Sequence, residues 1–224
     1  MRAGAVTIGQ SPRKDVLPDM RKILGPEIEV VERGVLDDLG DEEIRRLGPQ
    51  PGEHLFVTRL RDGSEVRLAA KRVPAMLSGC IAELEKEEVD IIVVLCTGEM
   101  PGLSSKRLIL FPDRILQHVV CGVLAGGKLG VLVPAAEQIP FLHRTWQKVG
   151  YDPAFAAASP YLSTPEEIGE QAARLGEEGV DLVVLDCIGF GIEAKSAVAR
   201  ATGRPVILPR TILARVAREL LCVL

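Results

Sequence analysis

The sequence predicts an α/β protein of two pseudo-symmetric lobes, each a mostly parallel sheet flanked by helices, with a cleft between them. Three observations carry this. Val89-Asp90-Ile91-Ile92-Val93-Val94-Leu95-Cys96-Thr97-Gly98 and Val180-Asp181-Leu182-Val183-Val184-Leu185-Asp186-Cys187-Ile188-Gly189 match without a gap at an offset of 91 residues. Two further echoes flank them: Ala3–Ile8 against Leu129–Pro134 at an offset of 126, and Phe111–Leu116 against Leu208–Leu213 at 97. Short apolar runs alternate with helical patterns in both halves, the order that builds parallel sheets with crossover helices. The changing offsets mean that the halves differ by insertions. Residues 1–126 form the expected first lobe and 127–224 the second, with the C-terminal helix a candidate to pack on the first.

In chain order, Ala3 to Ile8 is an apolar run closed by Gly9-Gln10-Ser11-Pro12, hence a strand and a turn. Arg13 to Leu24 is expected to be helical, with Pro12 near its first turn and Gly25-Pro26 ending it. Ile28 to Arg33 reads as a strand and Asp41 to Leu47 as a short helix. Leu55–Leu60 and Glu65–Ala69 flank Arg61-Asp62-Gly63-Ser64, a hairpin signal and the largest insertion of the first half. Arg72 to Glu87 carries an apolar stripe at helical spacing and leads into the first cysteine strand, Asp90 to Leu95. A strand at Arg107–Phe111 and a helix at Arg114–Ala125 follow, stopped by Gly126-Gly127. The second half reads as strand Leu129–Val133, helix Glu137–Val149, strand Ala154–Ala158 and helix Pro165–Glu178 with Thr164 as N-cap. It closes with strand Asp181–Asp186, helix Gly191–Thr202, strand Pro205–Leu208 and helix Thr211–Leu224.

The 224 residues are 47% apolar and 26% charged, the balance of an ordinary globular protein. A net charge of −4 and 4% aromatics give no footprint for nucleic acid or an anionic membrane. No run approaches the roughly 20 apolar residues of a membrane span, and the N-terminus has too short an apolar run for a signal peptide. A cytoplasmic protein with five reduced thiols is therefore expected. There is no Cys-x-x-Cys and the three histidines stand apart, so neither metal nor cofactor is expected. The expected partner is a small carboxylate-bearing ligand; a homo-oligomer is left open.

The chemistry points to Cys96 and Cys187. Each ends a strand at the edge where open α/β sheets bind ligands. A thiol pKa near 8.5 can be tuned toward neutrality, and backbone N–H groups of a Cys-x-Gly turn can stabilise a thiolate or hold a carboxylate. A racemase without a cofactor needs one group to remove the α-proton and another to deliver it on the opposite face, and two thiols meet that need. An isolated cysteine is more often a buried apolar residue; the paired placement shifts the weight, and at least one of the two should be reachable by solvent. Cys80, Cys121 and Cys222 lie on expected helices among apolar neighbours and are read as buried.

Taken together, these residues resemble the aspartate/glutamate/hydantoin racemase superfamily and, within it, the AroM family. The resemblance rests on Thr7-Ile8-Gly9-Gln10-Ser11-Pro12-Arg13, Thr58-Arg59-Leu60, Cys96-Thr97-Gly98-Glu99, Glu137-Gln138, Ser159-Pro160-Tyr161 and Asp186-Cys187-Ile188-Gly189-Phe190. It implies the two-lobe fold with the pocket between lobes, and a racemase or isomerase acting on a small, amino-acid-like carboxylate. The superfamily also holds decarboxylases and a cis–trans isomerase, so a malonate-type decarboxylase and a non-catalytic binding or regulatory protein are the alternatives. Gly9-Gln10-Ser11-Pro12 and Cys187-Ile188-Gly189 stand where glutamate racemases carry Asp-Ser-Gly and Cys-Thr-His, which argues against glutamate as substrate.

Candidate substrate contacts surround the thiols. Gln10 and Ser11 are candidate hydrogen-bonding groups and Arg13 a candidate carboxylate clamp, against an ordinary Ser-Pro turn with an exposed arginine. Thr97, Gly98, Ile188 and Gly189 belong to the thiol turns. Glu99 is a candidate for a substrate ammonium or a solvated loop carboxylate, and Gln138 for a substrate contact or an exposed helix residue. Asp186 is read as structural, paired or hydrogen-bonded. Thr58 and Arg59 read as an ordinary strand pair in a hairpin that could cover the pocket, and Tyr161 as a pocket or packing residue.

Overall fold

The structure, a computed structural model, describes residues 1–222. The chain divides into two units: Met1–Asp113 together with the segment from Arg210 onward, and Arg114–Pro209.

The first unit runs β1 (Arg2–Thr7), α1 (Leu17–Leu24), β2 (Glu29–Gly34), α2 (Asp41–Arg46), β3 (Leu55–Arg59), β4 (Glu65–Ala69), α3 (Val73–Lys86), β5 (Ile91–Leu95) and β6 (Leu108–Leu110). Then come α4 (Pro112–Val123), β7 (Leu129–Val133), α5 (Ile139–Gln147), β8 (Ala154–Ala157), α6 (Pro165–Glu177), β9 (Leu182–Leu185), α7 (Ile192–Thr202), β10 (Val206–Ile207) and α8 (Pro209–Leu221). In the first unit a parallel sheet has the order β2-β1-β5-β6, with β3 and β4 forming a separate antiparallel pair. In the second the order is β8-β7-β9-β10, again all parallel. The two orders are the same once the strands of each parallel sheet are numbered among themselves, leaving out β3 and β4. Among the described residues no helix is long and apolar enough to cross a membrane.

The strand registers reproduce the sequence offsets. Gly4 pairs with Ile92, and Ile92 with Ile109; Gly130 pairs with Val183, and Val183 with Val206. These partners are separated by the 126, 91 and 97 residues read from the sequence. The repeated Val-Asp has a physical task in each copy. Asp90 accepts the Arg2 backbone N–H at 2.7 Å, and Asp181 accepts the Lys128 N–H at 2.8 Å, each fixing the start of the neighbouring strand. A Cβ at Gly4 would meet Leu84 and Val89 at 3.1–3.3 Å, and one at Gly130 would meet Leu175 and Val180 at 3.2–3.3 Å. Leu84 and Leu175, like Val89 and Val180, are 91 residues apart and fully buried. Helix and strand therefore pack through the same close contact in both units.

Two departures of element boundaries from the sequence expectation bear on the site. Arg13 does not begin a helix: Lys14–Val16 form turns on Pro12 and Arg13, after a cis Ser11-Pro12 bond, and α1 starts only at Leu17. Before α5 the chain makes a 3-10 turn over Ala136–Gln138, so the helix begins at Ile139 rather than Glu137. Thr164 caps α6 as expected, in a reciprocal capping box with Glu167. The expected end of the last helix, residues 223–224, lies outside the described residues.

Candidate active site

Cys96 follows β5 directly and Cys187 lies two residues past the end of β9, with Asp186 between. In each Cys-x-Gly turn the glycine N–H donates to the cysteine sulfur: Gly98 to Cys96 Sγ at 3.4 Å, and Gly189 to Cys187 Sγ at 3.3 Å. A backbone N–H aimed at sulfur is a donor that a thiolate accepts from more strongly than a thiol does. Both thiols are buried, 7% and 6% exposed, each within a hydrophobic core cluster of its own unit, so the solvent-reachable thiol expected from the sequence has only this small exposure. Thr97 and Ile188, the middle residues, are buried, whereas Glu99 is exposed.

An aromatic ring lies over each turn. A Cβ at Gly98 would fall 2.2 Å from Phe56 Cε1, and one at Gly189 would fall 2.5 Å from the Tyr161 hydroxyl oxygen. A side chain at either glycine would have to displace the ring above it. Phe56 sits on β3, so the hairpin insertion packs directly on the Cys96 turn. Tyr161 is set by Ser159, whose Oγ accepts the N–H groups of Tyr161 and Leu162 at 3.1 Å each. Tyr161 was weighed from the sequence; Phe56 was missed. Its signal was the alternation of β3, which puts residue 56 on the same face as Thr58. The Thr58 hydroxyl is buried and has no hydrogen-bond partner among the described residues.

The turn after β1 is braced by its own chain. Gln10 donates to Leu36 O at 3.2 Å and accepts the Arg61 N–H at 2.9 Å, while its backbone N–H donates to Arg59 O. Ser11 donates its hydroxyl to Asp37 at 2.6 Å, and Asp37 also accepts from Ser11 N, Gly34 N and Arg61. Arg13 is 2% exposed and makes a bidentate carboxylate contact, but with Asp15 of its own chain, at 2.9 and 2.8 Å; its other nitrogen donates to Thr7. Burial alone would raise the Asp15 carboxyl, yet the Arg13 hydrogen bonds and charge hold it below its ordinary value. Arg210 of α8 adds hydrogen bonds to Asp15 O and to Asp19. The clamp predicted for Arg13 is thus filled from within.

In the second unit Gln138 is buried at the start of α5. Asp186 accepts the Trp146 indole N–H at 3.3 Å inside the core, the structural role read from its position. Of the remaining thiols, Cys80 is half-buried on α3, with burial pushing its pKa up to about 11. Cys121, expected to be buried, is exposed on α4, and Cys222 is half-buried past α8, donating to Glu27. Among the described residues no cluster of three or more His, Cys, Asp or Glu is arranged to hold a metal.

The profile of the family described as AroM protein matches residues 3–221. Comparison with curated protein sequences returns no significant match. Among solved structures the chain is similar to the maleate isomerase Iso from Pseudomonas putida S16, at TM-score 0.65 and 13% identity over 99% of this chain and 92% of that one. It is similar to unliganded arylmalonate decarboxylase, at TM-score 0.63 and 12% identity over 98% and 91%. Allantoin racemase from Klebsiella pneumoniae gives 0.62 and 15% over 99% and 87%. These likenesses establish the fold.

Proposed function

Because the chain belongs to the AroM family and carries one thiol turn at the same point of two like sheets, we propose that it is a cofactor-independent isomerase of the racemase type. Its substrate is a small, amino-acid-like carboxylate, and Cys96 and Cys187 are its acid and base. The observation that carries the reading is the matched pair of Gly N–H···Sγ contacts, at 3.4 and 3.3 Å. Two such donors at register-equivalent positions support reading the cysteines as a functional pair.

One cysteine, as thiolate, takes the proton from the carbon next to the carboxylate. The other, as thiol, delivers a proton to the opposite face, and the two have then exchanged protonation states. Gly98 and Gly189 spend their N–H groups on the sulfurs, while Thr97 and Ile188, the middle residues of the two turns, line the place where the carboxylate and its developing charge would be held. Burial of both sulfurs fits the task, since excluding water strengthens each amide–thiolate interaction and protects the carbanion. Gln10, Ser11 and Arg13 act as the frame of the β1 turn, Gln138 lies at the corresponding turn of the second unit, and Glu99 is the exposed residue placed to meet a substrate ammonium.

The test is incubation in D₂O with a panel of amino acids, hydroxy acids, maleate, malonates and allantoin, followed by NMR. Solvent deuterium at the α-carbon is expected for one member. Cys96→Ser and Cys187→Ser should each abolish racemisation, while each single variant can still exchange the α-proton of one enantiomer. CO₂ release from a malonate would replace the reading with decarboxylation. Saturable binding with no exchange and no CO₂ would replace it with a sensor.

A further inference from the structure

We propose that the first unit carries an oxyanion subsite beside the β1 turn, with Arg59 and Lys14 as its ligand-binding cations. A concavity of about 290 Å³ opens there, lined by Gln10, Arg13, Lys14, Asp15, Arg59 and Arg61, with Pro12 and Leu60 completing it. Four of its side chains are cationic and one is anionic, on a chain whose net charge is −4. Positive charge is thus gathered locally, where low-dielectric walls focus its field on a small anion.

The four cations are not equivalent. Arg13 is spent on Asp15. Arg61 is spent on Asp37 at 2.8 Å and on the Ser11 carbonyl. Arg59 gives only its Nε, to Gly63 O at 3.1 Å, and its two terminal nitrogens make no hydrogen bond to the described residues; the exposed Asp62 feels its charge without pairing with it. Lys14 is exposed and its ammonium has no hydrogen bond or ion pair among the described residues. A planar fork and a point charge flank one concavity, the combination that holds a carboxylate or a phosphate.

The wall is built before any anion arrives. Gln10 N–H to Arg59 O, Arg61 N–H to Gln10 Oε1, and Arg61 Nε to the Ser11 carbonyl strap the hairpin to the β1 turn. Anion binding therefore orders only two side-chain tips, which keeps its entropic cost low. The subsite makes no use of either thiol, so it stands or falls apart from the isomerase reading.

Inorganic phosphate and sodium acetate are titrated against the full chain at matched ionic strength, followed by calorimetry. At least one anion is expected to bind saturably. Arg59→Gln and Lys14→Gln should each weaken it about tenfold, the loss of one charged hydrogen-bond donor. Lys106→Gln, an exposed lysine outside the concavity, should leave it unchanged. The tighter arm identifies the acidic group as phosphate or carboxylate. Absence of saturable binding in both arms overturns the subsite. So does equal binding by the wild type and the Arg59→Gln, Lys14→Gln double variant, or equal weakening by Lys106→Gln. Circular dichroism of each variant separates these outcomes from misfolding.

Discussion

Placing a methyl group at residue 98 tests the packing that holds the first thiol turn. The Gly98→Ala Cβ would lie 2.2, 2.6 and 2.9 Å from Cε1, Cζ and Cδ1 of Phe56, where carbon atoms prefer about 3.5–4.0 Å. The ring has little room to retreat: Phe56 is 3% exposed, its backbone is paired with Leu68 across the hairpin, and its edge meets the His54 ring at a centroid distance of 5.1 Å. Ring or turn must shift by about 1 Å, an overpacking cost of about 1–3 kcal/mol. For a domain of this size that lowers the melting temperature by about 2–4 °C per kcal/mol. Gly189→Ala faces equally short distances, but from the far end of Tyr161, a half-buried loop residue that can swing out, so its cost should be about 1 kcal/mol or less. Urea denaturation of Gly98→Ala, Phe56→Leu and the double variant completes a cycle. Leucine removes the clashing atoms, so the double variant should be more stable than additivity predicts by about 1 kcal/mol. The reasoning fails if Gly98→Ala matches the wild type within about 0.5 kcal/mol, or if the two substitutions are additive.

Other substitutions probe separate physics. Thr58→Val removes a buried hydroxyl that has no partner and keeps its shape, so urea denaturation should show a gain of about 1 kcal/mol; a loss would mean that the hydroxyl is bonded. Asp15→Asn leaves the 2%-exposed Arg13 guanidinium without its carboxylate and should cost about 3 kcal/mol. Because the Asp15 pKa is lowered in the folded state, that contribution is complete above the ordinary carboxylate pKa of about 4 and is lost as pH falls through the lower folded value. The gap between wild type and variant should therefore narrow in acid; a gap that widens there contradicts the pairing. In timed alkylation at pH 8, read by mass spectrometry, exposed Cys121 should react ahead of Cys80, whose pKa is near 11 and which is half-buried; Cys80 reacting as fast would contradict this.

Much of the fold was written in repeated residues, because each serves a contact that both sheets need. Val89 and Val180 pack against the glycine of the neighbouring strand, Asp90 and Asp181 hold that strand's first N–H, and the cysteines end the runs. Such contacts recur at equivalent register, so the three offsets relate three equivalent strands of the two sheets. The failures have the opposite character. Arg13 looked like a helix residue, yet it stands in a turn where its side chain reaches Asp15 and Thr7, and periodicity does not encode that turn. Phe56 was invisible as a site residue because its partner is 42 residues away, on an insertion without a counterpart in the second half. Cys121 was assigned to the core from its apolar neighbours in sequence, but its position on α4 faces water.

The first unit is not finished until the helix beyond Arg210 has been made. Arg210 is 2% exposed and donates to Asp15 O at 2.7 Å and to Asp19 at 3.0 Å, and Arg218 reaches Ile23 O at 2.8 Å, so α8 closes a unit begun at Met1. On the ribosome, residues 1–113 emerge and then wait while about 100 further residues are added, about 5–20 s at ordinary elongation rates. The second unit is continuous in sequence and can close as soon as Pro209 is free. During synthesis the order of completion thus runs against the order of the chain. A chain ended at residue 209 and released would hold a complete second unit and a first one still lacking its closing helix.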